Sequence, residues 1–496
     1  MTTKLFLEDL QEELLSHSDP KRWYGLIVLL ASTFIVTLDG FIIYLALPAI
    51  KLQLHASPAQ MQLLLASFQI TNAALLIIGG KIGDLYGRRK LFSIGLIGYA
   101  CTVLCCGFSR SANLLIALNA LQGIAVAMLS PQTVSIIRLN FSLKERTYAF
   151  GLYNAITGAG AIVGLLAGGV VVEKLGWRAA FLITPPIAVT AFIAAFLLLK
   201  ESRSGTRSRQ IDLPGAGLLT ASLSILIGSA IIGREKNWPP EALAFLSLAS
   251  VLLLLFLAYE KKRTSLKASP LVHYALLSDR SFLAGIVAAM VYNTTQSSFY
   301  FVFTLYLQFG LQLSPKVVGM ILVPMAVGFI FASMFSAKIP NKFEREAVGF
   351  GVLLTVSALL TLLIMLNKDA SKTQIAMVTM AQGIGLGIAS TPMYSLILSR
   401  VISNYAGVAA GMLNTVQQIG SALGIAFVGI VFFGILSKME ASGELNKIAY
   451  SRSFSAAILC HIIACSIVLL ILPLLRHPKT TPTEPTEINK QTGPLR

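Results

Sequence analysis

Apolar runs long enough to cross a bilayer, about 18 residues or more, recur along the whole 496-residue chain. Hydrocarbon offers the backbone no water, so each run must close its own hydrogen bonds as a helix. Read in order, the runs lie near 24–50, 60–82, 91–108, 112–137, 148–172, 177–199, 213–233 and 242–259, then near 282–307, 317–339, 347–366, 374–399, 407–436 and 454–475. That is about fourteen helices. Composition agrees: 55% of the residues are hydrophobic and 12% charged, whereas a soluble protein is about a quarter charged. So few charges cannot solvate a globular surface, which makes this an all-α, multi-pass membrane protein.

The charge is unevenly placed. The net charge of +17 fits Lys and Arg gathered in loops on one side of a membrane, with no nucleic-acid partner. The loops at 81–90, 138–146, 200–209, 261–280 and 338–345, with both termini, hold roughly twice as many Lys and Arg as the opposite loops. That side is expected to be cytoplasmic, and an even helix count puts both termini there. Residues 1–22 are polar and acidic up to Pro20 and lack the pattern of a secretory signal. Leu5, Leu7, Leu10, Leu14 and Leu15 are spaced for one face of a short surface helix. The cysteines Cys101, Cys105, Cys106, Cys460 and Cys465 all fall in apolar segments and read as small buried hydrophobes.

One stretch repeats. Residues 337–346 (AKIPNKFERE) align without gaps on 80–89 (GKIGDLYGRR). This suggests two parallel repeats about an axis along the membrane normal. The expected layout is a cytoplasmic segment 1–22, a six-helix bundle 23–199, basic linkers with an inserted helix pair 200–280, a second six-helix bundle 281–475 and a cytoplasmic tail 476–496.

The first copy is the more informative. Gly80-Lys81-Ile82-Gly83-Asp84-Leu85-Tyr86-Gly87-Arg88-Arg89-Lys90 reads as a tight loop between two helices. Its glycines permit sharp turning and close approach. Arg88, Arg89 and Lys90 hold it on the cytoplasmic side, and Asp84 can pair with one of them. The pattern resembles the signature loop between helices 2 and 3 of the major facilitator superfamily. That resemblance implies the major facilitator fold, with Gly80, Asp84, Gly87, Arg88 and Arg89 in a latch between the two halves of a transporter.

Helix 1 carries Asp39, about 15 residues past its start, hence ~22 Å into the bilayer. A carboxylate there is costly unless protonated, paired or wet. It reads as a proton or cation site in a central cavity, with a neutral packing Asp as the alternative. Helix 4 resembles the superfamily pattern of an Arg three residues before Gln122-Gly123, but this chain has Asn119 at the Arg position. Asn119 is free to bond Asp39 or substrate, or to join helices. In helix 5, Gly160, Gly164 and Gly168 share one face and permit a close crossing. The run resembles the antiporter motif ending G-P-x-x-G-G, with Leu165 in place of Pro. Trp177-Arg178-Ala179-Ala180-Phe181-Leu182-Ile183-Thr184-Pro185-Pro186 resembles W-R-x-x-F-x-x-N-x-P, with Thr184 in place of Asn. Asp212-Leu213-Pro214-Gly215 resembles D-x-P-G. The run 407–426, with Asn414, Gln417 and Gln418, resembles helix 13 of the fourteen-helix drug:proton antiporters of the multidrug-exporter type.

Further cavity candidates are Gln122, Asn154, Asn293, Gln296, Asn414 and Gln417, beside Gln69, Asn72 and Gln382. Helix 9 adds the aromatics Phe299, Tyr300, Phe301, Phe303 and Tyr306. An apolar, aromatic pocket with a few amides suits amphipathic organic compounds. His461 is a second titrating group or a packing residue near a segment end. No G-x-x-x-x-G-K-[ST] loop occurs, and the chain shows no metal-ligand cluster and no nucleophile–base pair. It is expected to be no enzyme and to need no metal or cofactor. The resemblance implies a secondary transporter in a bacterial plasma membrane that exports small amphipathic compounds by proton antiport through alternating access. Its partners would be the substrate, protons and lipid, with room for accessory export proteins. A dedicated exporter of one endogenous metabolite, such as a siderophore or antibiotic, is the alternative. A non-transporting sensor or scaffold is the alternative of another class.

Overall fold

The computed structural model describes residues 21–203, 212–265, 274–366, 370–399, 401 and 406–475. The surface helix expected near Leu5–Leu15 and the tail 476–496 lie outside the described residues. Within them run fourteen long helices. The first six are α1 (Lys21–Leu54), α2 (Pro58–Tyr86), α3 (Arg88–Gly107), α4 (Ala112–Asn140), α5 (Leu143–Leu175) and α6 (Trp177–Leu198, interrupted at Ile183). An additional pair follows, α7 (Leu213–Glu235) and α8 (Pro240–Ser265). The last six are α9 (Arg280–Leu305), α10 (Pro315–Ser336), α11 (Glu344–Met365), α12 (Lys372–Leu398), α13 (Ala406–Ala441) and α14 (Asn446–Ile471).

Thirteen of these are long and apolar enough to cross a membrane. The remaining one, α9, has the polar run Asn293–Ser298 at its centre. Its side chains turn back on their own helix. Asn293 Nδ2 donates to Ala289 O at 2.8 Å, Thr294 Oγ1 to Val291 O at 2.6 Å and Thr295 Oγ1 to Tyr292 O at 2.7 Å. Such back-bonding satisfies polar groups without water, so a 26-residue helix persists through them. It ends in a π-helical turn, Tyr306–Gly310.

The two sets of six repeat one packing order. α1 packs on α5 and α6, α2 on α4, and α3 on α4 and α6; α9 packs on α13 and α14, α10 on α12, and α11 on α12 and α14. Close crossings recur in register. A Cβ on Gly160 or Gly164 of α5 would stand 2.9 Å from Phe34 O or 2.7 Å from Leu38 O of α1. Gly420 and Gly424 of α13 meet the Met290 and Thr294 carbonyls of α9 in the same way. Gln122-Gly123 in α4 has its counterpart in Gln382-Gly383 of α12, a repeat that a search for the charged loop alone overlooks. The halves meet along two seams, α2 with α13 and α5 with α10. The pair α7/α8 covers the first seam, where Leu219, Leu223 and Ile227 of α7 cluster with Ile70 of α2 and Ala422 of α13.

Contacts between the halves run from mid-membrane to the end away from Gly87. Tyr300 of α9 lies 5.2 Å from the Phe41 ring and 5.8 Å from the Tyr44 ring of α1. Gln308 Nε2 donates to Leu45 O at 3.2 Å, and the Lys51 ammonium lies 5.0 Å from the Phe309 ring. Lys316 N donates to Glu173 Oε2 at 3.1 Å. In the middle, Thr415 Oγ1 donates to Ala73 O at 3.3 Å.

Two expectations are corrected. The stretch 80–90 is not a loop: α2 continues to Tyr86 and α3 starts at Arg88, leaving Gly87 alone at φ +117°. A helix does not stop where its apolar run stops, because charged side chains at a membrane surface reach water from helical positions. Cys101 and Cys105 are exposed on α3, not buried.

Candidate functional site

Asp39 is buried where α1, α3 and α6 meet. Thr184 Oγ1 donates to its carboxylate oxygens at 3.1 and 3.2 Å. The Tyr99 hydroxyl bonds Asp39 Oδ2 and also reaches Ile35 O at 3.1 Å. This arrangement satisfies both protonation states. With Asp39 ionised, Tyr99 and Thr184 both donate to it. With Asp39 protonated, its own O–H has a hydroxyl acceptor, and the single Tyr99 proton turns to the Ile35 carbonyl. In the sequence Thr184 shows only as a departure from a motif, and nothing marks Tyr99. A hydroxyl in an apolar helix is indistinguishable from ordinary packing until helix rotation is known.

Asp39 opens onto a cavity of about 210 Å³. Asp39, Gln69, Asn72, Asn119, Gln122 and Gln418 line its wall, with the hydroxyl-bearing Tyr44 and Ser130. Val36, Ile43, Leu65, Phe68 and Phe181 supply apolar wall. The Asn119 amide donates to Leu115 O at 3.5 Å. Among the described residues it makes no hydrogen bond to Asp39, so of its three open uses the Asp39 pair is not the one seen in this state.

Most of the remaining candidates lie elsewhere. Gln418, not Gln417, reaches the cavity from α13. Asn293 is buried within the second set of six, and its Nδ2 also donates to Tyr394 Oη at 3.2 Å. Asn154 and Asn414 are exposed, and Gln296 and Gln417 are half-buried; none of these lines the cavity. None of the aromatics expected on helix 9 lines this cavity: Phe299, Phe301 and Phe303 are fully buried, Phe303 stacks 5.2 Å from Phe454, and Tyr306 lines a separate cavity with Leu311 and Leu362. Among the described residues, Tyr300 is the one of these whose ring contacts reach first-half rings, those of Phe41 and Tyr44. His461 sits in mid-helix, away from a segment end, with Nε2 2.8 Å from Ser298 Oγ.

Gly160, Gly164 and Gly168 bring α5 onto α1 around Phe34, Leu38 and Ile42, which fixes the backbone that carries Asp39. The opposite face of α5 bears on α10, where a Cβ on Gly169 would stand 2.7 Å from Pro315 O.

The Gly80–Lys90 stretch contacts the first half. Arg88 is buried and pairs with Asp84 at 2.6 Å. The Glu201 carboxylate caps α3, accepting from Arg89 N and Lys90 N at 3.1 Å each, a favourable place for an anion. Arg88 N donates to Ser202 O at 3.0 Å, and Arg89 Nη1 to Leu199 O at 3.3 Å. At Gly87 a Cβ would collide with Glu201 at 2.7 Å. Gly80 has only an ordinary neighbour, Pro131, at 3.6 Å.

The fold is that of a membrane transporter. A bacterial homologue of the human lysosomal transporter Spinster, solved in an inward-facing, unoccupied conformation, superposes with a TM-score of 0.67 at 17% identity, covering 92% of this chain and 98% of that one. The Major Facilitator Superfamily model matches residues 29–425. The chain therefore belongs to the major facilitator superfamily. It is 30% identical over 445 residues to the "Probable actinorhodin transporter" of Streptomyces coelicolor, across 88% of this chain and 77% of that protein. It is 31% identical over 421 residues to the puromycin resistance protein of Streptomyces alboniger, across 84% and 83%.

Proposed function

We propose that this transporter exports small amphipathic, antibiotic-like compounds in exchange for protons, with Asp39 as the titrating group. The observation that carries the reading is the Asp39–Tyr99–Thr184 cluster. It is a buried acid in a membrane helix, bonded by two hydroxyls that serve either protonation state, on the wall of a cavity. Acids so placed are functional by default. The names of the two relatives, one an actinorhodin transporter and one a puromycin resistance protein, support the direction and the substrate class.

The Lys/Arg-rich loops place the Gly87 end in the cytoplasm. The contacts gathered at the opposite end then correspond to a state closed to the outside and open inward. In that state the Gly80–Lys90 stretch bonds its own half and waits for the second. Rocking about the two seams would expose the cavity to each side in turn. Protonation of Asp39 from outside and binding of substrate from inside would favour opposite states, as coupling requires.

The test is export. Cells lacking their own exporters and expressing this chain should accumulate less puromycin and fewer related amphiphiles than cells carrying Asp39→Asn. Equal accumulation would refute the reading.

One feature favours the narrower reading of a dedicated exporter of one endogenous compound. The cavity, at about 210 Å³, is smaller than the roughly 300–1,000 Å³ of general ligand pockets. Protection against a single compound in a growth panel would select this reading, and broad protection would reject it.

A further inference from the structure

The pair α7/α8 lies over the α2–α13 seam, and its polar contacts are unevenly divided between the halves. At the Gly87 end the pair is braced within itself, and α2 bears on the brace. Arg263 Nε lies 3.1 Å from Asp212 Oδ2, and Tyr259 Oη donates to Asp212 Oδ1 at 3.1 Å. Lys81, from α2, faces Asp212 and Glu260. At the other end, Glu235 Oε2 accepts from Ser57 Oγ and from Ala59 N, both at 3.2 Å, capping the first turn of α2. α7 is thus hydrogen-bonded to the first half at its Glu235 end, and along its length it packs on α2.

Its neighbour Arg234 points the other way. Arg234 Nη2 donates to the Phe433 carbonyl and, at 2.9 Å, to Ser437 Oγ, both on α13. Among the described residues this is the polar tie from α7 to the second half. The turn beyond it is tight: Asn237 and Trp238 have φ of +58° and +56°, and Trp238 N donates to Gly233 O at 2.6 Å. Adjacent residues on one rigid helix end therefore hold opposite halves.

We infer that Arg234 is a positioning residue that locks the non-Gly87 end shut. The inference rests on the alternating-access reading. α7 moves with the first half, so separating α2 from α13 at that end must break the Arg234 bonds. Closing it re-forms them. The contact therefore favours one of the two transport states, and its strength sets their ratio.

The experiment uses the full-length protein in lipid nanodiscs, with native cysteines replaced and spin labels introduced in pairs for distance measurement by pulsed electron resonance. Positions 110 and 445 report the locked end; positions 139 and 343 report the Gly87 end. The wild type should exchange short and long distances reciprocally between the two pairs as pH is changed. In Arg234→Ala, the long-distance population at 110/445 should rise at least threefold, with a matching loss at 139/343. Arg234→Lys, which keeps a cation able to reach one acceptor, should fall between. Ser437→Ala, which removes one acceptor and leaves Arg234 packed, should shift the populations the same way by less, and it decides the matter if Arg234→Ala does not fold. Reciprocal exchange in the wild type with unchanged populations in the Arg234 and Ser437 variants would overturn the inference alone. A wild type that never exchanges would overturn it together with the alternating-access reading.

Discussion

Gly164→Ala tests how tightly the Asp39 helix is held. The new Cβ would stand 2.7 Å from Leu38 O and 3.1 Å from Phe41 Cβ. A relaxed C···O approach is about 3.3–3.6 Å, so α5 must retreat by ~0.6 Å or more. Overpacking of this kind costs about 1–3 kcal/mol, a fall of about 2–6 °C in apparent melting temperature. The retreat also matters chemically, because Leu38 precedes Asp39. The Thr184 bonds are already 3.1 and 3.2 Å long, and a comparable displacement takes them beyond hydrogen-bonding reach. A hydrogen bond to a charged group is worth about 1.5–3 kcal/mol, so transport should fall roughly tenfold or more. Fluorescence-detected thermal unfolding and initial rates of compound efflux read the two effects. Gly168→Ala should be milder: its Cβ meets the Ile42 Cγ1 at 2.6 Å, and a side chain can move aside. Gly217→Ala, with nothing within 4 Å, should be neutral. If Gly164→Ala matches wild type, or Gly217→Ala is equally damaging, the crossing does not position Asp39.

Three further outcomes are expected. Thr184→Val should remove about 1.5–3 kcal/mol of support for the ionised carboxylate and weaken substrate-driven proton exchange. Thr184→Ser should retain it, and equal exchange in both variants would contradict the bonding scheme. Gly87→Ala should destabilise the α2–α3 turn by about 1–3 kcal/mol, because its φ is +117° and Glu201 occupies the space. The loss should appear as a lower unfolding temperature. Gln418→Ala should alter the half-saturating compound concentration in efflux assays more than Gln417→Ala, since Gln418 alone of the two lines the cavity.

Much of this architecture is legible in the sequence because lipid leaves an apolar run one choice of structure. Helix existence follows directly, even for α9, whose central polar residues bond back to their own turns. Helix ends do not follow. α2 runs to Tyr86 and α13 to Ala441, past the apolar stretches, because helices continue into the aqueous boundary where hydropathy carries no signal. Asp39 stands out as a lone acid in an apolar helix. Its partners do not, since Tyr99 and Thr184 come from α3 and α6 and are brought to it only by packing. The same reason explains the cavity. Asn119 and Gln122 line it, whereas Asn293 serves the packing of the second half, and spacing along one helix cannot distinguish the two uses. The sequence repeat at 337–346 implies paired halves, and the glycine crossings of α5 on α1 and α13 on α9 display the same pairing in space.

The most direct test of proton antiport through Asp39 is compound-induced proton movement in inside-out vesicles holding a preset pH gradient, with wild type and Asp39→Asn compared side by side. The account predicts proton release when an exported compound is added to wild-type vesicles, and none with Asp39→Asn at equal protein. Compound flux without proton movement, equal in both proteins, would contradict it.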